Sequence, residues 1–152
     1  MTIAPVNPMH KAAWEAALGL LLPAPEPKPR VQQWRTPGEL AKDFDPKTIQ
    51  TPALDLIDEA LVDVAEGRCE RLMIALAPQE GKSQRTSRRF PLWMLARNPD
   101  LRIAIVSYVH SVARRWGRAI RDDIGMHAAK LDLKVNPNSA AAHEWEIEGR
   151  GG

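Results

Sequence analysis

Gly81, Lys82 and Ser83 are the residues of this chain whose types and spacing fit phosphate chemistry, and they lie within the stretch "RLMIALAPQEGKSQRTSRRF". A phosphate loop needs a turn in which successive backbone N–H groups converge on the phosphates, a helix whose N-terminus follows directly, a lysine that reaches the β and γ phosphates, and a Ser or Thr hydroxyl for Mg²⁺. The triplet supplies the last three positions of G-x-x-x-x-G-K-[ST]. The first position departs, because Leu76 stands five residues before Gly81 and Pro78 supplies rigidity where glycine normally gives freedom. Around the triplet, Gln79, Glu80 and Gln84 are the remaining loop positions expected against a nucleotide.

Charge points to a second polyanion. The net charge of +2 is unevenly spread: residues 1–80 carry 8 basic and 12 acidic side chains, residues 81–121 carry 10 and 1, and residues 122–152 carry 3 and 6. The basic block begins at the triplet. Arg85, Arg88 and Arg89 follow at helical spacing, and Arg114, Arg115, Arg118 and Arg121 repeat the pattern. Each cluster reads either as a solvated helical face or as a contact with nucleic acid or a neighbouring subunit. Gln50 stands just before a helix cap, where its amide reads as that of a polar loop residue. The single Cys69 excludes a disulfide framework, and His10, His110, His127 and His143 are scattered without metal-ligand spacing. The apolar stretch "AAWEAALGLLLPA" contains Glu15, lacks a basic start and is too short to span a bilayer, so a soluble intracellular protein is expected.

The elements that must position these residues can be read from local pattern. Asn7 before Pro8 starts a helix bearing Trp14, Leu18, Leu21 and Leu22, and the alternating prolines at residues 23–29 form an extended spacer. Residues 1–30 are thus a helical and Pro-rich front, and residues 31–152 the main domain. In the latter, Thr51 caps a helix with Pro52 at its first position, Leu54, Ile57, Leu61 and Val64 on one face, and Gly67 as its stop. The runs "LMIALA" at residues 72–77 and "LRIAIVSY" at residues 101–108 are apolar without alternation, as in strands buried on both faces of a parallel sheet. Between them lies helical sequence interrupted by Phe90 and Pro91 and ended by a turn at Asn98 and Pro99. A helix with Val112, Trp116, Ile120 and Ile124 at spacing four follows, in which Trp116 is expected in the core, and Glu144, Glu146 and Glu148 alternate along a short strand. Strand, loop, helix, strand, helix is the order of a nucleotide-binding α/β unit.

Together, "APQEGKSQRTSRRFPLWMLARNPDLRIAIVSY" and "ARRWGRAIRDDI" resemble the ATPase segment of large terminase subunits, the motors that package DNA into the capsids of tailed bacteriophages and prophages. Pro78 to Ser83 match the family's Pro-Pro-x-x-Gly-Lys-Ser loop, with Ala77 in place of the first proline. The resemblance spans about residues 50–152 and implies a RecA-like P-loop fold, a parallel sheet flanked by helices. It also implies ATP and Mg²⁺ as ligands, held by Gln79, Glu80, Gly81, Lys82, Ser83, Gln84 and Gln50, with Ser83 on the metal and Gln50 where related ATPases can use a glutamine to read adenine, the alternative for Gln50 being a polar loop residue. With duplex DNA as the polyanion, Arg114, Arg115 and Arg118 are the residues expected toward it, if they are not a solvated face. The implied partners are duplex DNA, the portal protein, the small terminase subunit and further copies in a ring, in the cytoplasm of a bacterial host and without a membrane.

The family's arginine at the position of Gln79 is replaced, so transition-state charge must be met from elsewhere. No apolar strand ends in Asp-Asp or Asp-Glu, the pair that holds Mg²⁺ and polarises water, and Asp122 and Asp123 follow helical sequence instead. The acidic nuclease domain is not found either, and the expectation is an N-terminal fragment or truncated product, inactive alone though an ATPase when complete. The alternative is a non-catalytic nucleotide or nucleic-acid binding module, or a decayed prophage product.

Overall fold

The computed structural model describes residues 33–141 and 144–149. The helix expected from Asn7 and the spacer at residues 23–29 lie outside these residues.

Two helices begin alike. In α1 (Pro37–Phe44) and α2 (Pro52–Ala65) a threonine is the N-cap and a proline follows it, with the Oγ1 of Thr36 accepting from the Glu39 N–H at 3.1 Å and that of Thr51 from the Leu54 N–H at 3.3 Å. Proline costs nothing there because the first N–H groups of a helix have no intrahelical acceptor. α2 is the helix expected from Thr51, and Gly67 follows it with φ 73°, a left-handed conformation that favours glycine. α1 has no counterpart among the sequence expectations.

Helical structure resumes at Lys82 and changes its winding midway. α3 (Lys82–Gln84) passes into a π-helical turn (Arg85–Arg89) and then into α4 (Phe90–Arg97). Pro91 accounts for the change: it has no N–H for the carbonyl four residues back and its ring crowds that carbonyl. The wider turn, in which the Phe90 N–H bonds the Arg85 carbonyl, lets the chain pass proline without a break. The turn at Asn98 and Pro99 is present, held by the Asp100 N–H on Asn98 Oδ1 at 3.0 Å. α5 (His110–Met126) carries the expected stripe, with Ile120 and Ile124 buried and Val112 and Trp116 half-buried, and the short α6 (Ala128–Leu131) follows.

Among the described residues the sheet is a two-stranded antiparallel pair, β1 (Val135–Ala140) with β2 (Trp145–Ile147), in which Val135 faces Ile147 and Ala140 faces Trp145 around an irregularity. Glu144, Glu146 and Glu148 are exposed while Trp145 and Ile147 turn inward, the alternation expected there. Residues 72–77 and 101–108 carry no strand ladder. Ile74 and Leu76 pack on Leu54, Ile57 and Leu61, and Ile105 joins the main core, yet Met73, Val106 and Tyr108 are 94%, 89% and 98% exposed. Each segment thus has a covered side and a bare one, whereas a run apolar on both faces forms a ladder where neighbouring strands and layers take up both its edges and both its faces.

The main core gathers Leu40, Leu92, Trp93, Ile120, Ile124, Leu131, Leu133 and Ile147 around Trp34. Trp93 is fully buried and its indole N–H donates to the Trp34 carbonyl at 3.0 Å, so the polar atom of this core indole is satisfied. This core fixes α4 against α1 and α5, and thereby fixes the helix that starts at Lys82. Among the described residues no helix is long and apolar enough to cross a membrane.

Candidate functional site

The loop before α3 is built from alternating hands of backbone. Gln79 has φ 68° and Gly81 φ 81°, separated by Glu80 and preceded by Pro78, whose ring holds φ negative. Left-handed residues interleaved with ordinary ones turn neighbouring N–H groups toward one side, the arrangement that makes an anion-binding concavity. Glycine adopts this conformation freely, but a glutamine does so at a cost of about 1–2 kcal/mol. Gly81 is also the N-cap of α3, and no side chain caps the first turn that follows it. Beneath the loop lies α2: a Cβ added at Gly81 would stand 3.5 Å from Leu54 Cδ1.

Lys82 is half-buried at the first helical position and, among the described residues, has no ion-pair partner. Gln79, Glu80, Ser83 and Gln84 are exposed, and Gln84 Oε1 lies 3.5 Å from Arg88 Nη1. The six loop residues expected at a nucleotide are therefore contiguous on one turn. Glu80 is the exception in charge, since a carboxylate beside a triphosphate opposes it.

Gln50 is brought to the same place through Arg85. Its Oε1 accepts from Arg85 Nη2 at 2.7 Å, and its Nε2 donates to Asp55 Oδ1 at 2.8 Å and to Asp58 Oδ2 at 2.9 Å. Chemistry dictates this orientation, because a guanidinium only donates and carboxylates only accept. Arg85 also forms a buried ion pair with Asp58, the two side chains being 3% and 5% exposed. Gly38 of α1 closes the cluster from above: a Cβ there would collide with Asp58 Oδ2 and come within 2.7 Å of Arg85 Nη1.

The other two arginines of the first cluster are anchored on α5. Asp123, 1% exposed, accepts from Arg88 Nε and Nη2 at 2.8 Å each and from Arg89 Nη1 at 3.0 Å. The hydrogen bond to Asp123 raises the Arg88 pKa further above its ordinary value, with burial opposing it in part. Arg89 is pushed down, first by burial and then by Arg88 and Arg85, against the pull of Asp123. Arg85, Arg88 and Arg89 are thus internal struts in place of a solvated face. Their partners Asp58 and Asp123 are not among the residues expected at the site.

The second cluster faces outward. Arg114, Arg115 and Arg118 are exposed on α5, and none of the three makes an ion pair among the described residues, while Arg121 pairs with Asp122 at 3.3 Å. Arg115 lies over the Trp116 ring at 5.1 Å, so this half-buried indole is partly a platform for a cation. Arg114 also stands with Arg102 on the wall of a cleft of about 480 Å³ floored by Leu95, Ile103, Ile105 and Ile120, to which the phosphate-loop residues contribute nothing.

Among the described residues no three His, Cys, Asp or Glu side chains gather as a metal site. Compared by sequence and by structure, the chain matches no known protein family, no curated protein and no solved structure.

Proposed function

We propose that residues 31–152 form the ATP-binding part of a RecA-like P-loop ATPase, of the kind that drives duplex DNA into phage capsids in the large terminase subunits this sequence resembles. The observation that supports the reading best is the turn at residues 78–83: left-handed Gln79 and Gly81 lead into a helix start without a side-chain cap, where Lys82 has no ion-pair partner among the described residues. An uncompensated lysine on an uncapped helix start suits a triphosphate, whose charge is met by the N–H groups, the helix dipole and the ammonium together. In this reading Ser83 ligates the Mg²⁺ that arrives with the nucleotide, and Gln79, Glu80 and Gln84 line the phosphates.

The division of the arginines supports the DNA half of the reading. Arg114, Arg115 and Arg118 stay exposed and, among the described residues, without ion pairs, as phosphate contacts require, whereas Arg85, Arg88 and Arg89 hold the loop helix to α2 and α5. In the complete motor, hydrolysis would move DNA through a ring of copies docked on a portal, with a small terminase subunit as partner, in the cytoplasm of the bacterial host. The test is Lys82→Ala, measured by binding of a fluorescent ATP analogue beside circular dichroism. Loss of binding in a folded variant is expected, because Lys82 contributes a point charge and belongs to neither core cluster. Unchanged binding in the folded variant removes the phosphate loop from the reading.

A further inference from the structure

We propose that Gln50, Asp58 and Gly38 are positioning residues that hold the phosphate loop in shape through Arg85, and that Gln50 does not read the base; this rests on the phosphate-loop reading of residues 78–83.

Arg85 is tied to the loop by its backbone and to the fold by its side chain. Its N–H closes the first helical turn on the Gly81 carbonyl at 3.0 Å, so any displacement of Arg85 is felt at the left-handed glycine and at Lys82 beside it. Its guanidinium is held from two sides, by the carboxylate of Asp58 and by the amide oxygen of Gln50. Asp58 uses one oxygen for both partners while Asp58 Oδ1 is buried without a hydrogen bond. The two donors therefore converge on a single atom, and moving either one moves the other. At 3% exposure Arg85 has no access to water in which to compensate for a lost partner. The absence of a side chain at Gly38 completes the seat, since even a methyl group would enter the space of the ion pair.

The same geometry leaves Gln50 little to offer a base. An amide that recognises adenine donates one hydrogen and accepts another in the same plane. Both hydrogens of Gln50 Nε2 are already given to Asp55 and Asp58, and one oxygen lone pair is taken by Arg85. Turning the amide toward a nucleotide would strip the buried guanidinium of one partner and set Gln50 against two carboxylates. The cluster is coherent as a clamp on Arg85.

The two roles separate by what the ligand must contain. Titrations of the 152-residue chain with ATP, ITP and inorganic tripolyphosphate compare the wild type with Gln50→Met, Asp58→Asn, Gly38→Ala and Lys82→Ala, each below its own melting temperature. A clamp predicts that the first three variants lose affinity for all three ligands by the same factor, about tenfold or more, the equivalent of one charge-assisted hydrogen bond from the loop to phosphate. Gln50→Met leaves the buried ion pair in place and so keeps the test open if Asp58→Asn does not fold. A loss for ATP greater than that for tripolyphosphate in Gln50→Met makes Gln50 a base reader and overturns the proposal. Lower melting temperatures with unchanged tripolyphosphate affinity make the cluster merely stabilising and overturn it as well. In both cases Lys82→Ala still abolishes tripolyphosphate binding and the phosphate-loop reading stands. A wild-type chain that binds neither ATP nor tripolyphosphate removes that reading and this inference together.

Discussion

Asp123→Asn should be the most costly isosteric change on α5. The substitution keeps the volume of a side chain that is 2% exposed, removes its charge and replaces one of its two acceptor oxygens by an NH₂ donor, leaving Arg88 and Arg89 without their shared counter-ion. Three hydrogen bonds to a carboxylate are lost or weakened, at 2.8, 2.8 and 3.0 Å. Breaking a buried pair by removing one partner costs about 3–5 kcal/mol. Arg88, 25% exposed, can recover part of its hydration, whereas Arg89 at 13% recovers less, so the low end, about 3 kcal/mol, is the working figure. For a domain of this size that corresponds to a fall in Tm of about 12 °C. The control is Asp122→Asn, one residue away and 53% exposed in its pair with Arg121, where less than about 0.5 kcal/mol is expected. Urea denaturation followed by circular dichroism, at low and high salt, measures both. Salt should leave the Asp123 effect nearly intact and erase that of Asp122. If Asp123→Asn falls within about 1 kcal/mol of the wild type, the arginines are not held by this carboxylate and the anchoring of the loop helix on α5 is wrong.

Gly81→Ala should cost about 1–2 kcal/mol of stability because of its φ of 81°, and should weaken binding of the fluorescent ATP analogue; a gain in thermal stability would mean that the left-handed turn is not the ground state. Replacing Arg114, Arg115 and Arg118 together by Gln should lower duplex DNA affinity alike for all sequences and flatten the plot of log affinity against log salt by up to about 3, as three phosphate contacts require; an unchanged slope in a folded, nucleotide-binding protein makes these side chains a solvated face.

What could be read from the sequence was what is local. The span of α2 follows from Thr51, Pro52, a 3.6-residue apolar stripe and Gly67, all within one short segment, and the structure reproduces it nearly residue for residue. The same kind of signal stood at Thr36 and Glu39, whose spacing is that of a capping box, and it marks the α1 that periodicity did not suggest; Glu39 uses its carboxylate on the N–H and guanidinium of Arg35. The interruption expected at Phe90 and Pro91 is a change of winding in a continuous helix, because Pro91 forbids one hydrogen-bond pattern without forbidding the wider one.

The ties of the first arginine cluster were beyond local pattern, since its partners lie 27 to 35 residues away along the chain. A trace of them was nonetheless present. Asp58 follows Leu54 by four and Asp123 follows Ile120 by three, which places each carboxylate on the apolar stripe of its own helix. A carboxylate on a buried stripe must find a cation, and three arginines follow the phosphate loop at helical spacing. The extended segments show the opposite limit. In residues 72–77 the apolar run states a preference for burial on both sides, and Ile74 and Leu76 satisfy it against α2 while Met73 does not. Composition sets what each side chain gains by being covered, at about 25 cal/mol for each Å² of apolar surface, but the cover is another element, and its position is a property of the fold that no window of six residues contains.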